Sequence, residues 1–395
     1  MCRTPSVARS LKDDGTTMTP QGNDTVTTWR RATTIIKKVK QIMNDIELIE
    51  KLSQACGMSG YEDEVLTIAR EYCKGFATFK EDSMRNLFIY PDYNKGGRPV
   101  VLLDAHSDEV GFMVQAIKPD GTLRFIPVGG WNENTLPSSK VQVYTEKGYI
   151  GGTIAAIPPH FLTADAKNAR ITFDSLAIDV GATSLEEAES FGVKVGAPVV
   201  PLTIFEHDAA HGILHGKAFD DRLGVAAMLK CLKNLKGADL NVDVVGVISS
   251  QEEVGERGIT AAMYSIKPAA AICFEGCPAD DTFSPSYMIQ DKLKGGVMLR
   301  YMDRTVICTP RFTSFAQKVA AEKNIKVQMA VRSGGGNNGA YIISANGGTP
   351  VIVAGIPVRY IHTFNCIAAD EDFASVVKFG EELCKSLTEE IIKGF

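Results

Sequence analysis

The sequence predicts an α/β protein: a mostly buried sheet flanked by helices, with a small all-β module inserted into it. Three observations carry that expectation. The stretches 99–106, 242–250, 269–274 and 350–355 are apolar runs of strand length, as in strands covered on both faces. Apolar residues at helical spacing lie between and after these runs, which is the alternation of an α/β sheet. From about 115 to 205 the texture changes to short alternating segments broken by Gly, Pro and Asn, the pattern of a small barrel or sandwich.

Residues 1–45 are rich in Thr, Ser, Arg and Lys, with apolar residues too sparse for a packed face, so a disordered tail is expected there. Ile46, Ile49, Leu52 and Cys56 then recur at helical spacing until Cys56-Gly57-Met58-Ser59-Gly60 breaks the helix. A second amphipathic helix runs from Glu62 to Tyr72, ahead of the strand Pro99–His106. Thr122–Ile126, Lys140–Tyr144 and Tyr149–Ile154 are the strand-like pieces of the insert. Leu223–Leu235 reads as a helix, and Phe373, Val376, Val377, Gly380, Leu383, Cys384, Leu387 and Ile391 mark another at the C-terminus. The chain thus divides into a discontinuous α/β domain, 46–114 with 206–395, and an insert, 115–205.

The 395 residues include 42 Lys+Arg against 47 Asp+Glu, a net charge of -5, and 45% hydrophobic residues. Such a chain can bury a large core, and its acidic balance offers no footprint for a nucleic-acid backbone. No apolar run approaches the ~18 residues of a membrane-spanning helix. Nine scattered cysteines, an odd count, point to free thiols in a reducing compartment, hence a cytoplasmic location. Cys273 and Cys277 lie close together, but no second pair completes a zinc knuckle.

Buried strands that run into metal-binding residue types are the chemically informative feature, because open α/β sheets bind their ligands at strand ends. In Asp104-Ala-His106-Ser-Asp108-Glu109, Asp108 is placed to orient the His106 imidazole. Lys217-Ala-Phe-Asp220-Asp221-Arg222 opens a helix, where a carboxylate can bridge two cations or cap the helix. Glu252 and Glu253 follow an apolar strand, and neighbouring side chains in extended backbone diverge, so one can bind a cation while the other handles a proton. Glu275 ends another strand, and His362 follows a fourth. Two histidines with three carboxylates, one of them shared, give two cations a mixed N/O set suited to zinc, cobalt or manganese. A pair of cations ~3.5–4 Å apart polarises a carbonyl and activates water, which suits amide hydrolysis.

The order H-S-D-E-V-G, D-D-R-x-G, E-E-V-G-x-R-G, an acid, then I-P-V-R-Y-x-H resembles the tetrahedral (deblocking, or glutamyl) aminopeptidase family of dimetal exopeptidases, also known as endoglucanase M. The likeness spans roughly 46–395 and includes Gly129-Gly-Trp131 and Ile178–Thr183. It implies a phosphorylase/hydrolase-like three-layer catalytic domain with an inserted small β-barrel used in oligomerisation, as a dimer up to a tetrahedral dodecamer. It further implies that His106, Asp220 and Glu275 hold one metal and that Asp220, Glu253 and His362 hold the other. Glu252 becomes the general base, Asp108 the orienting partner of His106, and Asp221 the neighbour of the bridge through an unusual peptide geometry. Three departures stand out: Glu275 where relatives have Asp, Gly335-Gly336-Asn337-Asn338 where Gly-Gly-Thr-Asp is usual, and Thr363 and Cys366 after His362. The second removes a carboxylate expected near the substrate pocket.

The expected activity is metal-dependent removal of the N-terminal residue from short peptides, with two divalent metals, zinc first and cobalt or manganese next. A deacylase or carboxypeptidase uses the same geometry, and a non-catalytic metal-bound scaffold is the alternative from another class. A glycosidase needs two free carboxyls flanking a sugar, whereas the acids here are assigned to metals. His207, His211 and His215 are spaced by four, yet Gly212 and Gly216 favour a loop over a second metal site. Trp131 is expected to pack the insert and Arg359 to support the strand before His362.

Overall fold

The four apolar runs form the centre of an eight-stranded sheet in a computed structural model that describes residues 43–163 and 170–395. Across the sheet the strands are Ala77–Glu81, Leu87–Pro91, Asp243–Ser249, Val100–His106, Ala270–Pro278, Val351–Val358, Val297–Met302 and Val327–Val331. The middle four run parallel, with Ser249 beside His106, Cys273 beside Asp104, and Glu275 beside Gly355. Their C-terminal ends therefore emerge along one edge. This is why side chains scattered from His106 to His362 converge.

Helices cover both faces. Leu102, Val245, Val247, Ala271, Cys273, Val351 and Val353 pack against Ile259, Ala262, Met263 and Ile342 of helices Arg257–Ser265 and Gly339–Ser344. The other face receives helices Phe219–Asn234 and Asp370–Ser386, with Asp45–Gln54 on the outside of the first. The α/β fold is thus three-layered. The expected tail lies outside the described residues apart from 43–45, where the first helix opens: Asn44 accepts the Glu47 amide at 2.9 Å as its N-cap.

After His106 the chain enters a closed six-stranded barrel, ordered Gly111–Ile117, Leu123–Val128, Ile178–Asp179, Gly148–Ile154, Lys140–Thr145 and Pro198–Pro201. Phe112, Val114, Phe125, Val141, Val143 and Val199 fill it, which is the inward half of each alternating strand. The barrel's first strand begins at Gly111, ahead of the change of texture at 115, because Phe112-Met-Val114 prolongs the apolar character of the strand before it. Trp131 stacks on Phe112 with ring centroids 4.7 Å apart and donates Nε1–H to Gly111 O at 3.0 Å, so it packs the insert as expected.

The chain returns through a hairpin, Glu206–Asp208 with Ile213–Gly216, that pairs with Cys366–Ala369. His207 and His215 sit on these strands and His211 in the turn, so the spacing of four does not form a helical face. The C-terminal helix is two helices: it stops at Ser386, and Thr388 accepts the Ile391 amide at 3.2 Å to start Glu389–Lys393. A capping hydroxyl inside an apolar pattern is what divides it. The eight described cysteines are free and buried, and Cys2 lies outside the described residues.

Candidate metal centre and active site

Asp220 stands at the middle of the site. The peptide joining it to Asp221 is cis, and neither residue has helical backbone although both lie in the first turn of Phe219–Asn234. The Asp220 carboxylate makes no helix-capping hydrogen bond and faces two imidazoles. Its Oδ1 is 3.0 Å from His106 Nε2, and its Oδ2 is 3.0 Å from His362 Nε2. Asp221 turns inward, accepting the amides of His106 at 3.1 Å and Gly224 at 3.0 Å.

His106 is fully buried at the end of its strand, with Nε2 3.7 Å from Glu275 Oε1 and 3.9 Å from Glu252 Oε2. Nδ1 lies 3.4 Å from Asp108 Oδ1, a contact outside hydrogen-bond alignment, so Nδ1 has no bonded partner among the described residues. Asp108 is tied down on both sides. It accepts the Ser59 hydroxyl at 2.6 Å and the amides of Glu252 at 2.9 Å and Glu253 at 3.2 Å. His362 has left-handed backbone at φ 55°, and its Nδ1 donates to Gly130 O at 2.9 Å. That bond leaves Nε2 for the site, 3.5 Å from Glu253 Oε1.

Two overlapping triads have donor atoms within 4.8 Å of one another, His106–Glu252–Glu275 and His106–Asp220–Glu253. All six expected metal and base residues therefore meet in one place, with Asp108 directly behind them. His106 belongs to both triads, and Glu252 lies near enough to ligate as well as to act as a base. Burial pushes Glu253 up to about 8 and Glu275 up to about 7, in each case against the pull of an imidazole. Burial opposes charge on both rings, yet the surrounding carboxylates raise His106 well above its usual range and His362 to about 10. Carboxylates crowded round two imidazole Nε2 atoms, with Oε1 of Glu253 buried and unbonded, form a candidate donor set in which a cation would take the place of the protons drawn onto the rings.

Behind this site lies a polar network of which the sequence showed only pieces. Glu109 accepts Lys217 Nζ at 2.6 Å on both oxygens and lies 3.3 Å from Arg222 Nη2. Arg222 Nε also donates to Ser107 O at 2.9 Å, fixing the segment between His106 and Asp108. Asn338 Nδ2 donates to Asp104 Oδ2 and Ser249 Oγ, both at 2.7 Å, and Asn337 Nδ2 to Asp303 Oδ2 at 2.6 Å. Both asparagines are buried and neither lines the cavity, so this departure bears on the packing around Asp104 and Asp303 and not on the cavity surface. Arg359 pairs with Asp281 at 2.6 Å and supports its strand.

The site opens into a cavity of about 630 Å³ walled by Asp220, Glu252, Glu253, Glu275 and His362 together with Glu256, Arg300, Arg332 and the loop 333–336. Gly335 and Gly336 belong to a stretch already marked by its departure, and Glu256 fills the variable position of E-E-V-G-x-R-G, whereas Arg300 lies on and Arg332 just past the sheet's far strands, and neither carries a motif.

Residues 86–379 match the family model described as M42 glutamyl aminopeptidase. The chain belongs to this family. A Pyrococcus furiosus protein named lysyl aminopeptidase is 32% identical over 362 residues, covering 88% of this chain and 98% of that one. The crystal structure of a TET aminopeptidase from the marine sediment archaeon Thaumarchaeota archaeon SCGC AB-539-E09 superposes with a TM-score of 0.85 at 34% identity, covering 89% of this chain and 98% of that one. The TET1 peptidase of Pyrococcus horikoshii, described as able to assemble into a tetrahedron or a large octahedral shell, has a TM-score of 0.79 at 29% identity, covering 87% and 100%. This M42 chain is accordingly a peptidase, and no described helix is long and apolar enough to cross a membrane.

Proposed function

We propose that this M42 peptidase is a metal-dependent aminopeptidase acting on the N-terminal bond of short peptides. The observation that carries the proposal is Asp220, whose two oxygens each stand 3.0 Å from a different imidazole, as a shared ligand must. His106, Asp220 and Glu275 would hold one divalent cation, and Asp220, Glu253 and His362 the other. The mixed N/O set suits zinc, with cobalt or manganese as alternatives. Cations bound there would supply Lewis acidity toward the scissile carbonyl and lower the pKa of water.

Glu252 is the residue of this chain that moves the proton. Its carboxylate enters the cavity without a hydrogen bond from any described residue, while its amide is held by Asp108. Burial raises its carboxyl well above the ordinary range, against the pull of His106, which favours proton acceptance and return. Glu252 Oε2 takes the proton of the attacking water and returns it to the nitrogen of the leaving amine. Asp108 holds His106 and the Glu252–Glu253 turn in one frame.

Assembly into a homo-oligomer, a dimer up to a tetrahedral dodecamer, is part of the proposal, with the insert 115–205 as the contact region and 46–114 with 206–395 as the catalytic part. The exposed Ile157, Phe161, Val195 and Ile204 in and beside the insert give apolar surface for such contacts. The cytoplasm is the proposed compartment. Comparing free peptides with their N-acetylated forms tests the activity: cleavage confined to free peptides supports it, and equal cleavage of both contradicts it.

A further inference from the structure

Glu256 occupies the variable position of E-E-V-G-x-R-G and stands in the cavity wall. Its amide closes a turn onto Glu252 O at 2.8 Å, and its backbone is left-handed at φ 49°. It precedes helix Arg257–Ser265, yet its side chain makes no capping hydrogen bond. The carboxylate is half-buried, with neither a hydrogen bond nor an ion pair to any described residue. Gly336 faces it so closely that a Cβ there would stand 3.0 Å from Oε1.

The two arginines of the same wall do not answer this charge. Arg300 Nη1 donates to Asp303 at 2.8 Å, and Arg332 Nη1 to Asp280 at 2.6 Å. Burial and the nearby Asp303 push the Glu256 carboxyl upward, against a smaller pull from His106, in keeping with a carboxylate that no cation pairs. Apart from the metal-site acids, this wall therefore carries one carboxylate in excess.

Resting on the aminopeptidase reading, we infer that Glu256 is a specificity-determining residue that receives the cationic side chain of an N-terminal lysine or arginine. The α-amino group cannot be its ligand, because it is bonded to the carbon next to the scissile carbonyl and stays with the metal-site carboxylates. A charge at the end of a four-carbon stem reaches further along the cavity. Pairing there satisfies a carboxylate that a neutral side chain would leave desolvated and unpaired.

The test uses the full chain loaded with metal and three substrates sharing one leaving group: lysyl, norleucyl and glutamyl amides. The wild type is expected to prefer lysyl over its uncharged isostere norleucyl, and glutamyl least. Glu256→Gln, which is isosteric and breaks no hydrogen bond, is expected to lower the lysyl-to-norleucyl ratio of kcat/KM by about tenfold or more. Glu256→Lys is expected to move the preference toward glutamyl. A wild type that prefers glutamyl, or ratios unchanged in both variants, would overturn the assignment of Glu256 alone. Failure to cleave any of the three would contradict the aminopeptidase reading itself and this inference with it.

Discussion

Replacing Arg222 with methionine removes the structural tie behind the metal site while keeping most of the side-chain length. Arg222 is 1% exposed and donates through all three nitrogens. Nε reaches Ser107 O at 2.9 Å, Nη1 reaches Leu52 O at 2.6 Å and Ala55 O at 3.0 Å, and Nη2 reaches Gly57 O at 3.2 Å and Glu109 at 3.3 Å. Ala55 O keeps Lys217 Nζ at 3.1 Å, and Gly57 O keeps the Glu109 amide at 2.9 Å. Leu52 O and Ser107 O are the carbonyls that lose their donor. A buried acceptor left unpaired costs ~1–3 kcal/mol, so the two together cost roughly 2–6 kcal/mol. Removing one member of a buried ionic cluster costs ~3–5 kcal/mol, an overlapping range that centres the expectation near 4 kcal/mol. Urea unfolding at fixed metal concentration measures it, with Arg222→Lys expected between wild type and Arg222→Met. A loss below about 1 kcal/mol for Arg222→Met would refute the claim that the guanidinium holds this segment in place.

Glu252→Gln should lower kcat by ~10²–10⁴-fold with metal content unchanged, measured by peptide hydrolysis beside elemental analysis; full activity would remove Glu252 from the mechanism. Asp108→Asn should weaken metal binding ~10–100-fold, read by competition with a chromogenic chelator, because His106 loses the anion facing Nδ1. Glu62 is buried with Oε2 unbonded, and burial, then Asp108, raises its carboxyl from 4.5 to about 7. A raised carboxyl pKa means the folded chain holds the proton more tightly than the unfolded one, so stability is greatest below 4.5 and declines as pH rises through about 7. Glu62→Gln should therefore stabilise the protein at pH 8 by up to about 3 kcal/mol and give little or no gain at pH 4; equal effects at both pH values would contradict the assignment.

The parts of the fold that were legible in the sequence are those with one dominant cause. Val100–His106 and Val351–Val358 are buried on both faces, so they appear as plain apolar runs. Ala77–Glu81 was not anticipated, because it lies at the sheet's edge and alternates Thr78 and Lys80 with half-buried positions. Val297–Met302 was obscured by Arg300, a charge buried in mid-strand that is intelligible only beside Asp303. Metal-site candidates stood out because His106, Glu252, Glu253, Glu275 and His362 end or follow a recognisable strand, and Asp220 opens a recognisable helix. Ser59, Glu62 and Asn338 act on that site across more than a hundred residues of sequence or from a loop with no period of its own, so only the folded chain brings them to Asp108, Gln251 and Asp104.

Counting the divalent cations bound per chain, by equilibrium dialysis of metal-stripped protein against zinc, tests the shared role of Asp220 most directly. Two tight sites are expected in the wild type, and both should weaken together in Asp220→Asn. A single site in the wild type, or an Asp220→Asn variant that keeps both at full affinity, would contradict it.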